Sequence, residues 1–364
     1  MDKVTSRKNG LDFLRFMACI GILFLHFSNY FCPDGVFFGN YLLDPDTADN
    51  IGINMNAMVE IFFALSGFLI CSYSEKIQKG MSIREFMLPR LTRILPMLAF
   101  ATILLVIGSY IMTMSGNTHG IEFGYPYLWG IISSCLGIEY NVFFVSAEIN
   151  HESWYLDVLL ECYLLFFLVT KLSNRLRIRQ LYIYIACILT GAAICSSETL
   201  LFVLNPQHGR GIEAFFAGVV IALYLKGRVP EKKEYILAVF ILFTYSLLMI
   251  FWPQGLSFGK THLYNFFVSP SLIILFSSHF ADRLFSSKIW NKLGKICFST
   301  YVLHVALIYF LFVLEDLFGV KVDYAHEVVL VVFVILALFI GGIAYYCIER
   351  PLGRYLDKKL NLKK

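Results

Sequence analysis

The first apolar stretch of the chain, LDFLRFMACIGILFLHF over residues 11–27, carries an aspartate, an arginine and a histidine. Arg15 and His26 are eleven residues apart, and at ~100° per residue a helix returns them to within about 20° of one face, about 16 Å apart along its axis. Asp12 sits one turn before Arg15. An imidazole titrates near neutrality and can act as a general base, while a guanidinium binds phosphate or carboxylate through paired N–H donors. Taken singly, His26 reads equally well as an interhelical hydrogen-bonding group and Arg15 as a snorkelling side chain. Together on one face, with Asp12 below, they favour a polar cavity.

Four further segments carry residues of the same kinds. FMLPRLTRILP places Arg90 and Arg93 one turn apart, bracketed by Pro89 and Pro96; two guanidiniums at i and i+3 make a phosphate-sized clamp, or simply mark a cytoplasmic loop. HESWYLDVLLECY sets Trp154, Asp157 and Glu161 at i, i+3, i+7, an acidic stripe along one helix face. His304 falls mid-stretch in FSTYVLHVALIYF and Glu60 in VEIFFALSGFLI. Glu349, in YYCIERP, reads as an ion-pair partner at the end of its segment.

The elements that must position these groups are apolar helices. The 364 residues are 58% hydrophobic and 15% charged, with mean hydropathy +0.68, beyond what a soluble core can hide. A hydrocarbon layer takes about 20 apolar residues per crossing, and runs of that kind lie near 10–31, 53–74, 94–115, 153–172, 180–198, 211–226, 234–252, 263–281, 296–314 and 328–348. An all-α polytopic membrane protein of about ten transmembrane helices is expected. With the N-terminus inside, the loops alternate so that all Lys and Arg lie on cytoplasmic segments except Arg15, Arg210, Lys260 and Lys321. Both termini are then cytoplasmic, and the net charge of +4 reflects topology and not nucleic-acid binding. The first stretch lacks a small-x-small cleavage site and reads as an uncleaved span. The nine cysteines show neither zinc spacing nor a disulfide framework, so no metal is expected. The long loop after the third span, residues 116–152, contains the apolar run GYPYLWGIISSCLGI, and residues 125–145 are expected to dip into the bilayer as a re-entrant segment, with Tyr125, Tyr127 and Trp129 at the interface. Residues 1–364 form one domain on this reading.

The ordered set of motifs resembles the acyltransferase 3 family of membrane acyltransferases, nearly end to end. It comprises Arg-x10-His (Arg15, His26), FFxLSGFLI (Phe62 to Ile70, with Ser66), Arg-x-x-Arg-I-x-P (Arg90, Arg93, Pro96), a W-x-L segment with its acid (Trp154, then Asp157 and Glu161), Y-x-L-H (Tyr301, His304) and E-R-P (Glu349, Pro351). Trp154 and Glu161 are two residues further apart than the family's common spacing, so Asp157, Glu161 or both could take its acidic role. The resemblance implies transfer of an acyl group, usually acetyl from cytoplasmic acetyl-CoA, to a hydroxyl of an extracytoplasmic or lipid-linked glycan. It also implies a bacterial cytoplasmic (inner) membrane location, multi-pass among membrane lipids. On that basis Arg15, Arg90 and Arg93 would bind acyl-CoA, and His26 would be the base. A carboxylate, first Glu161, would orient it. Asp12, Glu60, Ser66, Trp154, Tyr301 and His304 would complete the polar cavity. Direct transfer and an acetyl-histidine intermediate both fit. The rival from another class is a transporter or flippase for a glycan or acylated amphiphile, since buried His, Glu and Arg also describe proton-coupled carriers.

Overall fold

The computed structural model describes residues 9–31, 57–116, 128–139, 149–197, 204–251 and 260–360, and no β-strand occurs among the described residues. In chain order the principal helices are α1 (Asn9–Phe31), α2 (Met58–Ile70), α3 (Ile83–Ser115), α4 (Leu128–Leu136), α5 (Trp154–Leu176), α6 (Gln180–Cys195) and α7 (Pro206–Leu225). They continue as α8 (Lys232–Phe251), α9 (Ser269–Phe276), α10 (His279–Leu284), α11 (Lys288–Phe318), α12 (Glu327–Ala344) and α13 (Arg350–Lys359). A π-helical turn, Tyr264–Val268, leads into α9, and a second, Tyr345–Glu349, joins α12 to α13.

Each apolar run expected from the sequence contains helix, but the helices differ in their capacity to cross a bilayer. Among the described residues seven are long and apolar enough: Asn9–Phe31, Met58–Gln78, Ile83–Ser115, Pro206–Leu225, Lys232–Phe251, Lys288–Phe318 and Glu327–Lys359. α5 has the length, but its 23 residues include Asp157, Glu161, Lys171 and Arg175. α6 and Thr261–Phe276 are shorter apolar helices. α8 and α12 leave Phe240, Phe243, Val331 and Ile335 exposed, an arrangement of apolar side chains that costs little only against lipid. The chain is therefore a multi-pass membrane protein.

Helix α3 begins earlier than expected and runs straight through Pro89 and Pro96. Arg90 and Arg93 thus lie within a helix, not at its start. Of the expected re-entrant segment, α4 is helical with Trp129 and Leu128 exposed, and Thr102 Oγ1 on α3 bonds Ser134 Oγ on α4 at 3.0 Å. Tyr125, Tyr127 and the remainder of that segment after residue 139 up to 145 lie outside the described residues.

The contacts divide the chain into two units. The first comprises Met1–Ile22, Asp44–Ile83 and Cys162–Lys295. Within it, α2 and α7 cross with their backbones touching: a Cβ on Gly67 would lie 1.9 Å from the Phe215 carbonyl oxygen, and one on Gly218 the same distance from that of Ala64. Small residues at such a crossing let helices approach closely where no hydrophobic effect drives them together. α7 starts with a full capping box, Asn205 Oδ1 accepting from the amides of Gln207 and His208 while Pro206 supplies a preset first turn. The second unit comprises Leu23–Leu43, Arg84–Glu161 and Ile296–Lys364.

Candidate active site

In the second unit, the C-terminal part of α1 meets the turn before α5 and the middle of α11. His26 Nε2 lies 3.2 Å from Glu152 Oε2, and His26 Nδ1 lies 3.0 Å from His304 Nε2. His304 Nδ1 in turn bonds the Tyr301 carbonyl one turn back on α11. Both rings are buried, His304 1% and His26 6% exposed.

This chain fixes where protons sit. A carbonyl oxygen only accepts, so His304 Nδ1 carries a hydrogen; in a neutral ring Nε2 then accepts, and His26 Nδ1 must donate to it. The unprotonated nitrogen of a neutral His26 is therefore Nε2, facing Glu152. A carboxylate is also an acceptor only. Their contact at 3.2 Å is consequently a place that gathers one shared proton, the property required of a base that takes a proton and hands it on.

Glu152 is held from several sides. Tyr301 Oη donates to its backbone carbonyl at 2.6 Å, and Tyr30 Oη donates to Oε1 at 3.5 Å. Upstream, buried Glu139 accepts from the Ile149 and Asn150 amides and pins the segment that leads into it. Tyr155 meets Tyr301 edge to face, ring centres 5.5 Å apart. A small cavity opens against this group, lined by Leu98, Asn150, Glu152, Leu156, Tyr301 and His304.

One and a half turns before His304 on α11, Ser299 Oγ donates to Glu349 Oε2 at 2.6 Å. Arg93 Nε approaches Glu349 Oε1 at 3.7 Å, with its side chain 65% exposed, and its guanidinium lies 5.9 Å from the Phe298 ring centre. Glu349, expected as an ion-pair partner, thus pairs across to Arg93 on α3. Arg90 donates to the Phe86 carbonyl and lies 4.0 Å over that ring. α11 therefore carries a polar line from the arginine side to the histidine pair, about 7.5 Å long from Ser299 to His304 at 1.5 Å per residue.

The chain matches the family described as "Acyltransferase domain" over residues 8–347. It belongs to the acyltransferase 3 family. Relatives of this acyltransferase 3 chain from Staphylococcus aureus strains COL, MSSA476 and MRSA252, each named "Putative O-acetyltransferase", are 24% identical to it over 387 residues. The match covers 97% of this chain and 58% of each relative, so the chain spans little more than half their length. No solved structure matches.

Against this geometry the expected residues of the acyltransferase 3 chain sort into three groups. His26, Tyr301 and His304 come together, and the carboxylate that joins them is Glu152, which the sequence reading passed over in favour of Glu161 and Asp157. Its signal was an acid two residues before Trp154 in HESW. Asp157 is buried on α5, where a Cβ on Gly137 would come within 3.4 Å of its Oδ1. Glu161 and Trp154 are half-buried on the same helix, and Glu161 stands about 10 Å along the axis from Trp154. Arg90 and Arg93 form the second group, with Glu349 and Ser299. The third group belongs to the first unit. Asp12 Oδ1 accepts from Arg15 Nη1 at 3.1 Å, and the α1 backbone at Asp12 packs on Gly294. Glu60, 2% exposed, accepts from Arg210 through Nη2 at 2.6 Å and Nε at 2.7 Å. Ser66 is half-buried on α2.

Proposed function

We propose that this chain is a membrane O-acetyltransferase that moves an acetyl group from cytoplasmic acetyl-CoA to a hydroxyl of an extracytoplasmic or lipid-linked glycan, with His26 as general base. The observation that carries the reading is the Glu152–His26–His304 chain. The acceptor hydroxyl gives its proton to the His26–Glu152 pair, which holds it between Nε2 and the carboxylate, as the hydroxyl oxygen attacks the thioester carbonyl; the carbon–sulfur bond then breaks and the pair returns a proton to the departing coenzyme A sulfur. Glu152 stabilises the imidazolium formed on the way, and His304 fixes the tautomer and ring orientation. Acetyl-CoA carries a phosphate-rich head, to which Arg90 and Arg93 offer guanidinium donors on a segment read as cytoplasmic. Arg15, eleven residues before His26 on α1, is a third acyl-CoA ligand on this reading. No step calls for a metal. The ten apolar runs of the sequence, each of which contains helix, and the alternation of basic loops support ten crossings with both termini in the cytoplasm of a bacterium, and α4 serves as a re-entrant helix in the loop after α3.

Replacement of His26 by alanine or glutamine tests the reading. Acetyl transfer from acetyl-CoA to the glycan fraction should fall at least a hundredfold while membrane insertion and yield stay at the level of the unmodified protein. Transfer that survives both substitutions overturns the assignment.

A further inference from the structure

The first unit holds a second polar cluster that the mechanism above does not use. α6 and α7 cross at backbone contact: a Cβ on Gly191 would lie 2.7 Å from the Glu213 nitrogen, and one on Gly209 2.3 Å from that of Cys195. The crossing brings the end of α6 beside Glu213. His262 arrives from another segment, Lys260–Leu263, directly before the π-helical Tyr264–Val268. π-Helical turns are rare and gather at functional sites.

Ser196 Oγ lies 2.8 Å from His262 Nε2, and His262 Nδ1 lies 2.9 and 3.0 Å from the two carboxylate oxygens of Glu213. The carboxylate accepts only, so Nδ1 carries the hydrogen; Nε2 of a neutral ring is then free to take the Ser196 proton. Burial grades in the order such a relay needs. Glu213 is fully buried, His262 is 22% exposed, and Ser196 is open. Hydroxyl, base and orienting carboxylate, in that order and on those nitrogens, make up the arrangement that activates a serine nucleophile. Glu60 has its own cation in Arg210, so it does not compete for His262 in that role.

We propose that Ser196, His262 and Glu213 form a second nucleophilic centre, which takes an acyl group from an acyl ester or thioester at the extracytoplasmic face. The acyl substrate class rests on the function proposed above, and the side of the membrane on the alternation of basic loops. Ser196 Oγ attacks the acyl carbonyl carbon; the new C–O bond forms as the bond to the departing alkoxide or thiolate breaks, and the serine proton passes through His262 to that leaving group. Water or an acceptor hydroxyl then attacks the acyl-serine, gives its proton to His262, and the same proton returns to Ser196 as its oxygen leaves. Ser196 and His262 are the catalytic residues and Glu213 a positioning residue.

A fluorophosphonate probe on the full chain in detergent tests this. Ser196 Oγ displaces fluoride from phosphorus, forming P–O as P–F breaks, with the proton taken by His262. The expected result is one adduct per chain, mapped to Ser196 by peptide mass and absent from Ser196→Ala. His262→Gln should slow labelling at least a hundredfold, Glu213→Gln at least tenfold, and Glu213→Asp should restore part of the rate, which a helix-packing role alone would not do. Matching elution profiles establish that the variants are folded. An absent Ser196 adduct, or an unchanged rate in folded His262→Gln, overturns the proposal. So does stoichiometric zinc lost on Cys195→Ser, because a metal held by Cys195, Glu213 and His262 would occupy the base. Labelling needs no acetyl-CoA: transfer that fails while Ser196 labels sinks only the earlier reading, and the converse sinks only this one.

Discussion

Replacing Glu152 with glutamine keeps the shape of the side chain and removes its charge from beside His26. The two groups are 3.2 Å apart, with side chains 18% and 8% exposed, so solvent screens them little. At an effective dielectric of ~20, unit charges at that distance attract by about 5 kcal/mol. The amide retains a hydrogen bond worth about 1 kcal/mol, and the remainder, about 3–4 kcal/mol, is the support lost by an imidazolium formed in the transition state. That corresponds to about a 10²- to 10³-fold fall in kcat, with little change in the Michaelis constant for acetyl-CoA. The assay is incorporation of labelled acetyl from saturating acetyl-CoA into the glycan fraction of membranes, normalised to protein present. A fall of less than about threefold, or a large fall for Glu161→Gln with Glu152→Gln unaffected, refutes the assignment of Glu152 as the partner of His26.

Arg93→Ala should raise the Michaelis constant for acetyl-CoA about tenfold and change kcat little, since one charge-assisted contact contributes about 1.5–3 kcal/mol; an unchanged constant would make Arg93 only a topology signal, and steady-state kinetics in membranes decides. Glu60→Ala leaves Arg210 without the carboxylate that it contacts at 2.6 and 2.7 Å. Loss of one partner from such a pair costs about 3–5 kcal/mol, so the fraction of protein remaining soluble in detergent after graded heating should drop well below that of the unmodified chain; an unshifted curve would count against the pair. Gly218→Val drives a side chain into the Ala64 carbonyl, 1.9 Å from where its Cβ would stand, and should lower the yield of folded protein severely, because backbone cannot swing aside as a side chain can. Normal yield and melting behaviour for Gly218→Val would contradict the close crossing of α2 and α7.

Some of this was legible in local pattern. The FFxLSGFLI segment shows a glycine in an apolar run, and the reason it must be glycine became visible only with Phe215 against it. The α3 prolines misled in the opposite direction: Pro89 and Pro96 suggested brackets around the arginines, whereas the helix continues through both, as apolar helices can when neighbouring groups satisfy the freed carbonyls. Glu349 reads in the sequence as an ion-pair partner, but its partners Arg93 and Ser299 stand on other helices, far from it along the chain. The acidic stripe on α5 drew attention to Glu161 because periodicity is the only relation a sequence displays. Glu152, in the short turn before the helix begins, belongs to no periodic face and so left no such trace.

The sequence by itself determined that the protein is membrane-embedded and helical, and that Arg15 and His26 ride one helix. Those facts follow from side-chain transfer energies and from the 3.6-residue turn, which are local properties. Tertiary structure alone decided which carboxylate reaches His26, that His304 stands behind it from 278 positions away, and that Glu60 answers to Arg210. Those pairings depend on where helices cross and how turns deliver their ends, and a contact made by helix crossing has no period along the chain from which to read it.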